Sequence, residues 1–532
     1  MVSIPDDWLW IVILGFIVSF LLAFGIGAND VANSFGTSVG AKVLTLFKAC
    51  ILGTIFEILG AVLIGYKVSD TIRKGIVDVN TYNNSEKLLL MGNLSALTGS
   101  CIWLFIATLL KLPVSATHSI VGATVGFSLV AKGAQGVGWF KLGLIFVSWF
   151  ISPVLSGLIS VALFLFVRKV VLSKENPLKN GLRLLPLFYA VTILINAISI
   201  FLDGSELLQF DKIPLYGTFI ISIGLAIIAA VVVRVFIVPW MRNKIEEKLL
   251  QSKDVEDEKE TPKDDHKFVK YSNGNVDLEV SRENDTKKEL YNGDVAKSAG
   301  APVKENTTMI ADSSTALLAS QDVPVTADKL ITIETQYGTK STVDSSNSTS
   351  DSEGETRATI KDDPVTVILF SFLQILTAVF GSFAHGGNDV SNAIGPLVGL
   401  WVVSTERSVS QTAPTPIWIL LYGGVGISIG LCVLGRRVIQ TMGEDLSKIT
   451  PSSGFCIELG AAFTVLVASN IGIPVSTTHC KVGSIVFVGR VRSRDNVDFS
   501  LFRNIIFAWL GTLPVAGCLS ALTMFLLKEY AM

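Results

Sequence analysis

This chain of 532 residues has a small net charge, and it has neither paired cysteines nor a recognisable catalytic motif. None of the six cysteines forms a Cys-x-x-Cys pair, and all lie in or beside apolar stretches, as is typical of buried thiols. The net charge of −2 argues against a nucleic-acid partner. We find no nucleotide-binding loop and no nucleophile–base pair, so the sequence predicts neither an enzyme nor an organic cofactor. No basic region precedes the first apolar stretch, which we expect to be retained rather than cleaved.

Long apolar runs, in contrast, recur along the chain, in which 50% of the residues are hydrophobic and the mean hydropathy is +0.55. We therefore expect an all-α polytopic membrane protein of about twelve segments. These segments lie near residues 8–27, 46–65, 94–111, 115–131, 142–167, 184–202, 215–240, 364–384, 414–435, 454–471, 475–489 and 501–527. The segments at 115–131 and 475–489 are short for a bilayer of roughly 30 Å. We predict that these two are re-entrant-type arms paired with their neighbours.

The stretch between residues 241 and 362 differs sharply from the rest of the chain. It holds 42 of the 88 charged residues, together with Ser/Thr-rich tracts such as DSSNSTSDSEGE. Because such a composition buries too little apolar surface to fold alone, we predict a disordered loop, with a small regulatory domain as the alternative. This loop separates an N-terminal membrane repeat with extra spans (1–240) from a C-terminal membrane repeat (363–532).

Basic residues next to the apolar segments predict the orientation in the membrane. Four basic clusters follow the segments that end near residues 167, 240, 435 and 489, and with twelve crossings all four face the cytoplasm. The 241–362 loop is then cytoplasmic, and both termini and the 66–93 loop are extracellular. Asn83 begins an Asn-x-Ser glycosylation pattern in that outer loop, which fits this orientation and predicts a glycoprotein.

Three pairs of segments indicate an internal duplication. GANDVANSFGTSVG (27–40) shares eight of fourteen residues with GGNDVSNAIGPLVG (386–399), and PVSATHSIVGA (113–123) shares seven of eleven with PVSTTHCKVGS (474–484). A fainter pair relates 60–72 to 430–442. The first copy starts outside and the second starts inside, so we predict inverted repeats. Inverted repeats with interrupted helices are typical of secondary transporters, whose site lies at the repeat interface.

The Asn-Asp motif places a carboxylate and two amides inside an apolar segment. Because Asn29 and Asn33 are four residues apart, they share one helix face, with Asp30 beside Asn33. Carboxylate and amide oxygens suit sodium, and the glycines of the motif are expected to break the helix and free backbone carbonyls. An interhelical polar clamp is the alternative. The predicted sodium-binding residues are Asn29, Asp30, Asn33, Asn388, Asp389 and Asn392, and no transition metal is expected.

The Pro-Val-Ser-x-Thr-His motif is typical of a helix start. Pro113 and Pro474 are each expected in the first turn of a half-helix, whose free N–H groups and hydroxyl groups form an anion site. Two such ends at the membrane midplane would hold one tetrahedral oxyanion. Ordinary N-capping is the alternative. The predicted phosphate-binding residues are Ser115, Thr117, Ser476, Thr477 and Thr478.

Four further polar residues are expected to support the site. His118 and His479 recur in both copies, and we predict structural hydrogen bonding next to the site rather than metal binding. Glu57 and Glu458 occupy non-equivalent positions and should face the interior, for ion binding or gating or as static hydrogen-bond partners.

No arginine or lysine lies within the Asn-Asp or Pro-Val-Ser-x-Thr-His motifs, so co-bound cations should neutralise the anion. A buried carboxylate accepts a hydrogen bond from protonated phosphate but repels sulfate, which favours phosphate.

In its duplicated GANDVAN, GGNDVSN, PVSATH and PVSTTH blocks the chain resembles the inorganic phosphate transporter (PiT) family, and its animal-type sodium-dependent branch most. The resemblance covers both membrane parts and the central loop. It implies sodium-coupled import of phosphate at the plasma membrane by alternating access. It also implies ligands in the motifs named above, a lipid bilayer as the environment and a possible homodimer.

Two other functions stay open from the sequence. The buried acids allow proton-coupled transport of phosphate or sulfate. A phosphate sensor or surface receptor that signals through the 241–362 loop belongs to a different class, and deleting the loop would separate it from a transporter.

Overall fold

The computed structural model describes residues 4–30, 32–202, 208–247, 360–435, 438 and 445–531. Residues 248–359, which carry most of the predicted disordered loop, lie outside the described residues. Regular structure within the described ranges is helical apart from two isolated bridges, Val77–Val137 and Ser447–Val497.

The helices are α1 (Asp6–Asp30), α2 (Ala32–Gly40), α3 (Leu46–Lys74), α4 (Glu86–Leu109), α5 (Ala116–Lys132), α6 (Trp139–Val167), α7 (Pro177–Phe201), α8 (Leu215–Val232), α9 (Pro364–Glu406), α10 (Ile417–Leu434), α11 (Pro451–Asn470), α12 (Thr477–Arg492) and α13 (Phe499–Tyr530). A single π-helical turn extends α6 to Leu172, and α8 continues through another to Glu247.

Ten helical stretches in the described ranges are long and apolar enough to cross a membrane, with α1 and α2 together forming one of them. The two remaining helices, α5 and α12, have 17 and 16 residues and coincide with the two segments predicted to be short. The chain is therefore an all-α, multi-pass membrane protein, as expected from its apolar runs.

Apolar side chains cover the outside of the helix bundle, whereas polar side chains collect within it. Phe140, Ile220 and Phe507 are exposed, as expected of spans that face lipid, while Asn388 and Glu57 are fully buried. Hydrocarbon cannot solvate a polar group, so polar residues inside a membrane bundle commonly have a functional role. The buried polar residues are therefore the candidates for the functional site.

The two repeats pack against each other in a reciprocal way. Helix α1 packs on α10, and the corresponding helix α9 packs on α3. A Cβ atom on Gly27 would lie 1.8 Å from the carbonyl oxygen of Ile427, and one on Gly386 would lie 2.2 Å from that of Glu57. Likewise α5 packs on α13, and α12 packs on α6. This exchange of equivalent contacts supports the predicted duplication, and the inverted sense of the repeats stays a prediction.

The expected helix break is absent from the second Asn-Asp motif. Helix α9 runs without interruption through Asn388 and Asn392. Gly386 therefore allows α9 to approach α3 closely rather than opening the helix. Small residues commonly serve this purpose at helix contacts in membranes.

Candidate functional site

The short helices α5 and α12 begin deep inside the bundle, and each begins at a serine. Ser115 Oγ accepts a hydrogen bond from His118 N (3.2 Å), and Ser476 Oγ accepts one from His479 N (3.2 Å). Both serines are therefore N-caps, which was the alternative interpretation of the motif. The expected position of the prolines is wrong, because Pro113 and Pro474 lie in the linkers, two residues before the caps. Each serine keeps its hydroxyl hydrogen to donate.

Each Asn-Asp motif contacts the short helix of the other repeat. Asn33 Nδ2 donates to Thr478 Oγ1 (2.9 Å), and Asn392 Nδ2 donates to Thr117 Oγ1 (3.2 Å). Thr117 also contacts the backbone of the other repeat, because its Oγ1 donates to Val475 O (3.1 Å). The four residues thus form two equivalent crossed hydrogen bonds between the repeats.

The two aspartates lie side by side in this buried region. Asp30 Oδ2 accepts from Ala116 N (3.3 Å), and its Oδ1 lies 3.1 Å from Thr478 Oγ1, which can donate to it. Asp389 Oδ1 accepts from Asn392 Nδ2 at 2.8 Å. Both aspartates are 1% exposed, so their charges have no bulk water to stabilise them.

Asn29 and Asn388 tie the motifs to the linkers that precede the short helices. Asn29 Nδ2 donates to Leu112 O (2.9 Å), and its Oδ1 accepts from Val114 N (3.1 Å). Asn388 Nδ2 donates to Val475 O (2.8 Å). These amides hold irregular backbone at membrane depth, where unpaired N–H and C=O groups are costly.

The sequence analysis missed His385, which lies between the acidic residues. His385 Nδ1 is 2.7 Å from Glu57 Oε2, and its Nε2 is 3.5 Å from Asp389 Oδ2. Ligand atoms of Asp30, His385 and Asp389 all lie within 4.8 Å of one another. The first copy has Ile26 at the equivalent position, so a search for repeated residues could not find this histidine.

Glu57 and Glu458 are buried, as predicted for both, and each accepts at least one hydrogen bond from a hydroxyl group. Ser382 Oγ donates to Glu57 Oε1 at 2.9 Å. Thr377 Oγ1 donates to Glu458 Oε2 (2.6 Å) and Ser38 Oγ to Glu458 Oε1 (2.7 Å). Glu458 therefore connects α11 with α2 and α9.

A basic residue outside the repeated motifs also lies beside the candidate site. Lys481, two residues after His479, is 3% exposed and lines a small cavity together with Asn33, Thr477 and Glu458. Thr477 and Lys481 are four residues apart on α12, so they share one face of that helix. The equivalent residue of the first copy is Ile120, so the repeat search missed this residue too.

His118 and His479 lie to one side of the aspartates. Their ring centroids are 4.4 Å apart, and His479 Nδ1 lies 3.2 Å from the carbonyl oxygen of Trp149. This hydrogen bond agrees with the expected structural role of His479. The structure thus brings the predicted asparagines, aspartates and hydroxyl residues together, and places the histidines at the edge of the group.

Buried carboxylates and amides, held where the short helices of two repeats begin, have the architecture of a secondary transporter. The chain belongs to the phosphate transporter family, whose family model matches residues 26–520.

Named relatives match the chain over almost its full length. It is 45% identical to "Sodium-dependent phosphate transporter 1-A" of Danio rerio, over 98% of this chain and 95% of the relative. It is 44% identical to "Sodium-dependent phosphate transporter 2" of Xenopus laevis, over 98% of both chains. A solved structure, "The sodium-dependent phosphate transporter", superposes with a TM-score of 0.71 at 30% identity and covers 98% of this chain and 100% of that one.

Proposed function

We propose that this protein is a symporter that imports inorganic phosphate with sodium across the plasma membrane by alternating access. The crossed contact between the Asn-Asp motifs and the starts of α5 and α12 carries this proposal, because it unites groups suited to a cation with groups suited to an anion. The names of the relatives support sodium as the coupling ion and phosphate as the substrate. Like those transporters, the protein would move its substrates without converting them.

Sodium would bind at the oxygens of Asn29, Asp30, Asn33, Asn388, Asp389 and Asn392. Sodium is a hard cation and prefers carboxylate and carbonyl oxygens. Asn392 Oδ1 is buried and has no hydrogen-bond partner among the described residues, although an amide oxygen can only accept. Leaving such an oxygen unpaired is costly, and a bound cation would remove that cost.

Phosphate would bind to hydroxyl groups of Ser115, Thr117, Ser476, Thr477 and Thr478 and to free N–H groups at the starts of α5 and α12. A helix start is favourable for anions because its N–H groups point outward and its dipole is positive there. Lys481 adds a positive charge at the cavity next to Thr477. Bound sodium ions and Lys481 would together offset the charge of phosphate.

Alternating access would require the crossed contacts to change. Thr117 and Thr478 each link a short helix of one repeat to an asparagine of the other. When the repeats move relative to each other, these hydrogen bonds must break or change partners. Substrate binding at the same side chains would then be coupled directly to the movement.

The membrane orientation and the assembly belong to the same proposal. Both termini would be extracellular and the 241–362 loop cytoplasmic. Asn83 lies exposed after the short 3₁₀ turn Val79–Tyr82, where a glycosylation enzyme could reach it. A homodimer in the lipid bilayer is proposed from the resemblance to the family.

A cation exchange tests the coupling ion. Purified protein in liposomes should accumulate radiolabelled phosphate when a sodium gradient is applied, and choline or lithium gradients of the same size should give little uptake. A proton gradient in sodium-free buffer is the decisive comparison. Equal uptake under the proton gradient would contradict sodium coupling.

Proton-coupled phosphate transport is the second candidate, and one observation favours it. Glu57, His385 and Asp389 form a buried row of groups that can carry protons: His385 Nδ1 is 2.7 Å from Glu57 Oε2, and His385 Nε2, which has no hydrogen-bond partner among the described residues, lies 3.5 Å from Asp389 Oδ2. If protons drive transport, His385→Gln should abolish proton-driven uptake. If sodium drives transport, the same change should leave a measurable sodium-driven component.

A further inference from the structure

A cavity of about 360 Å³ opens between helices α6, α12 and α13, and neither Asp30 nor Asp389 lines it. Its mouth is formed by Phe146, Phe150, Val154 and Leu510, which are all exposed on the outside of the bundle. These side chains belong to spans that face hydrocarbon, so the cavity opens toward the membrane interior. The volume lies in the range typical of small-molecule sites.

The inner wall of this cavity carries three ring nitrogens without a hydrogen-bond partner among the described residues. They are His118 Nδ1, Trp149 Nε1 and His479 Nε2. The three side chains are 4%, 6% and 6% exposed, and each lines the cavity. The ring of His118 contacts both others, at centroid distances of 3.7 Å from Trp149 and 4.4 Å from His479. Unpaired polar atoms are costly in such a place, which indicates a ligand.

The hydrogen bonds already present determine what these nitrogens need. A carbonyl oxygen only accepts, so His479 Nδ1 carries the hydrogen in its contact with Trp149 O (3.2 Å). In the neutral ring, His479 Nε2 is then an acceptor, whereas Trp149 Nε1 is always a donor. A hydroxyl group both donates and accepts, so one hydroxyl can serve both atoms. Trp509 Nε1 already donates to Pro113 O (3.2 Å) and needs no further partner.

The rest of the lining excludes charged headgroups. Apart from the rings named above, the lining side chains are Phe146, Phe150, Pro153, Val154, Val482, Gly483, Val486, Phe487, Phe502, Ile506, Leu510 and Leu513, none of which carries a charge. A phosphate or ammonium headgroup would be buried here without a partner.

We propose that this lateral cavity binds one membrane sterol, with the sterol hydroxyl between Trp149 Nε1 and His479 Nε2 and the ring system against the aromatic wall. The ligand reaches the cavity from the bilayer. It lies next to the first turns of α5 and α12, since His118 and His479 directly follow the proposed phosphate-binding threonines. The proposal concerns binding alone and does not depend on the transported substrate.

Photolabelling of the full-length protein tests the proposal. The protein is placed in phosphatidylcholine nanodiscs with a cholesterol analogue that carries a diazirine on its side chain and a free hydroxyl group. The expected labels lie on α6 between Phe146 and Val154 and on α13 between Phe502 and Leu513. The methyl ether of the same probe cannot donate to His479 and should label about tenfold less, the value for about 1.4 kcal/mol of lost hydrogen bonding.

Two variants and one control sharpen the test. Leu510→Trp fills the mouth from an exposed position and should remove the labelling. Trp149→Phe keeps an aromatic ring but removes the N–H donor, and should lower labelling several-fold. Trp240→Phe removes an indole outside the cavity and should change nothing. The melting temperature of each variant, followed by intrinsic fluorescence, shows that the fold persists.

Each other occupant has its own outcome. Unlabelled cholesterol should displace the probe, whereas displacement by diacylglycerol alone would contradict a sterol site. Equal labelling by the methyl ether would show that the hydroxyl group is not recognised and would overturn the proposal. Crosslinks between α6 helices of two copies, without sterol labelling, would assign the cavity to a protein interface and overturn it as well.

Discussion

Asn33 Nδ2 donates a hydrogen bond to Thr478 Oγ1 at 2.9 Å, although the two residues are 445 positions apart and belong to different repeats. The equivalent pair, Asn392 and Thr117, makes the same contact at 3.2 Å. Each proposed sodium motif is therefore bonded to the proposed phosphate motif of the other repeat. Such a contact makes the binding of one ligand sensitive to the presence of the other.

The two threonines should contribute unequally despite their equivalent positions. Both hydroxyl groups lie near a backbone carbonyl of the opposite linker, Thr478 Oγ1 at 3.2 Å from Val114 O and Thr117 Oγ1 at 3.1 Å from Val475 O, but only Thr478 Oγ1 also lies near an aspartate, at 3.1 Å from Asp30 Oδ1. Hydrogen bonds to charged groups contribute about 1.5–3 kcal/mol and neutral ones about 1 kcal/mol. We expect Thr478→Val to lower sodium affinity by at least tenfold and Thr117→Val by less, as measured by sodium-dependent uptake. Equal losses of sodium affinity in the two variants would show that the contact with Asp30 contributes no more than a neutral hydrogen bond.

Gly386 should be intolerant of even a methyl group. A Cβ atom there would lie 2.2 Å from the carbonyl oxygen of Glu57, so α3 and α9 would have to separate. We expect Gly386→Ala to reduce the free energy of unfolding by about 1–3 kcal/mol, seen as a lower melting temperature. Gly224→Ala is the matched control, because a Cβ atom at Gly224 meets nothing within 4 Å. Similar melting temperatures for both variants would contradict the close packing of α3 and α9.

Lys481 and Glu458 should behave as a pair. Both are buried and line the same cavity. Lys481→Met leaves the buried acid without a basic neighbour, and a buried charge without a compensating charge is costly. We expect the single variant to lose phosphate uptake and Lys481→Met with Glu458→Gln to recover part of it. Additive losses in the double variant would mean that the two residues act independently.

Asn83 reports the orientation of the outer loop. In a mammalian cell the wild-type protein should carry a glycan that Asn83→Gln removes, seen as a mobility shift after glycosidase treatment. Asn306 and Asn347, in the loop predicted to be cytoplasmic, also match the pattern and should stay unmodified. Glycans on either of those asparagines would reverse the proposed orientation.

The internal repeat identified most residues of the candidate site from the sequence, but it could identify only residues that occur in both copies. Residues present in both copies, such as Asp30 and Asp389, are visible as a pattern. His385 and Lys481 are buried among them but stand opposite Ile26 and Ile120, so no pattern marks them. A polar residue in one copy that replaces an isoleucine in the other was the available signal.

The role of the glycines could not be read from the sequence either. A glycine that permits a helix break and one that permits close helix packing look the same until the neighbouring helix is known. Gly386 and Gly60 each face a carbonyl oxygen of the opposite helix, so packing explains both. The helical type of the segments, in contrast, follows from apolar run length, because the bilayer sets a minimum length for a span, while the total of twelve membrane segments stays a prediction.

The dependence of phosphate binding on sodium tests the central claim most directly, without a gradient or transport. Phosphate affinity of the purified protein should rise strongly with sodium concentration, and by reciprocity phosphate should tighten sodium binding by the same factor. Asp30→Asn and Asp389→Asn should each abolish this dependence while the melting temperature is kept. Phosphate binding that is equally tight without sodium, or unchanged in both variants, would contradict the account.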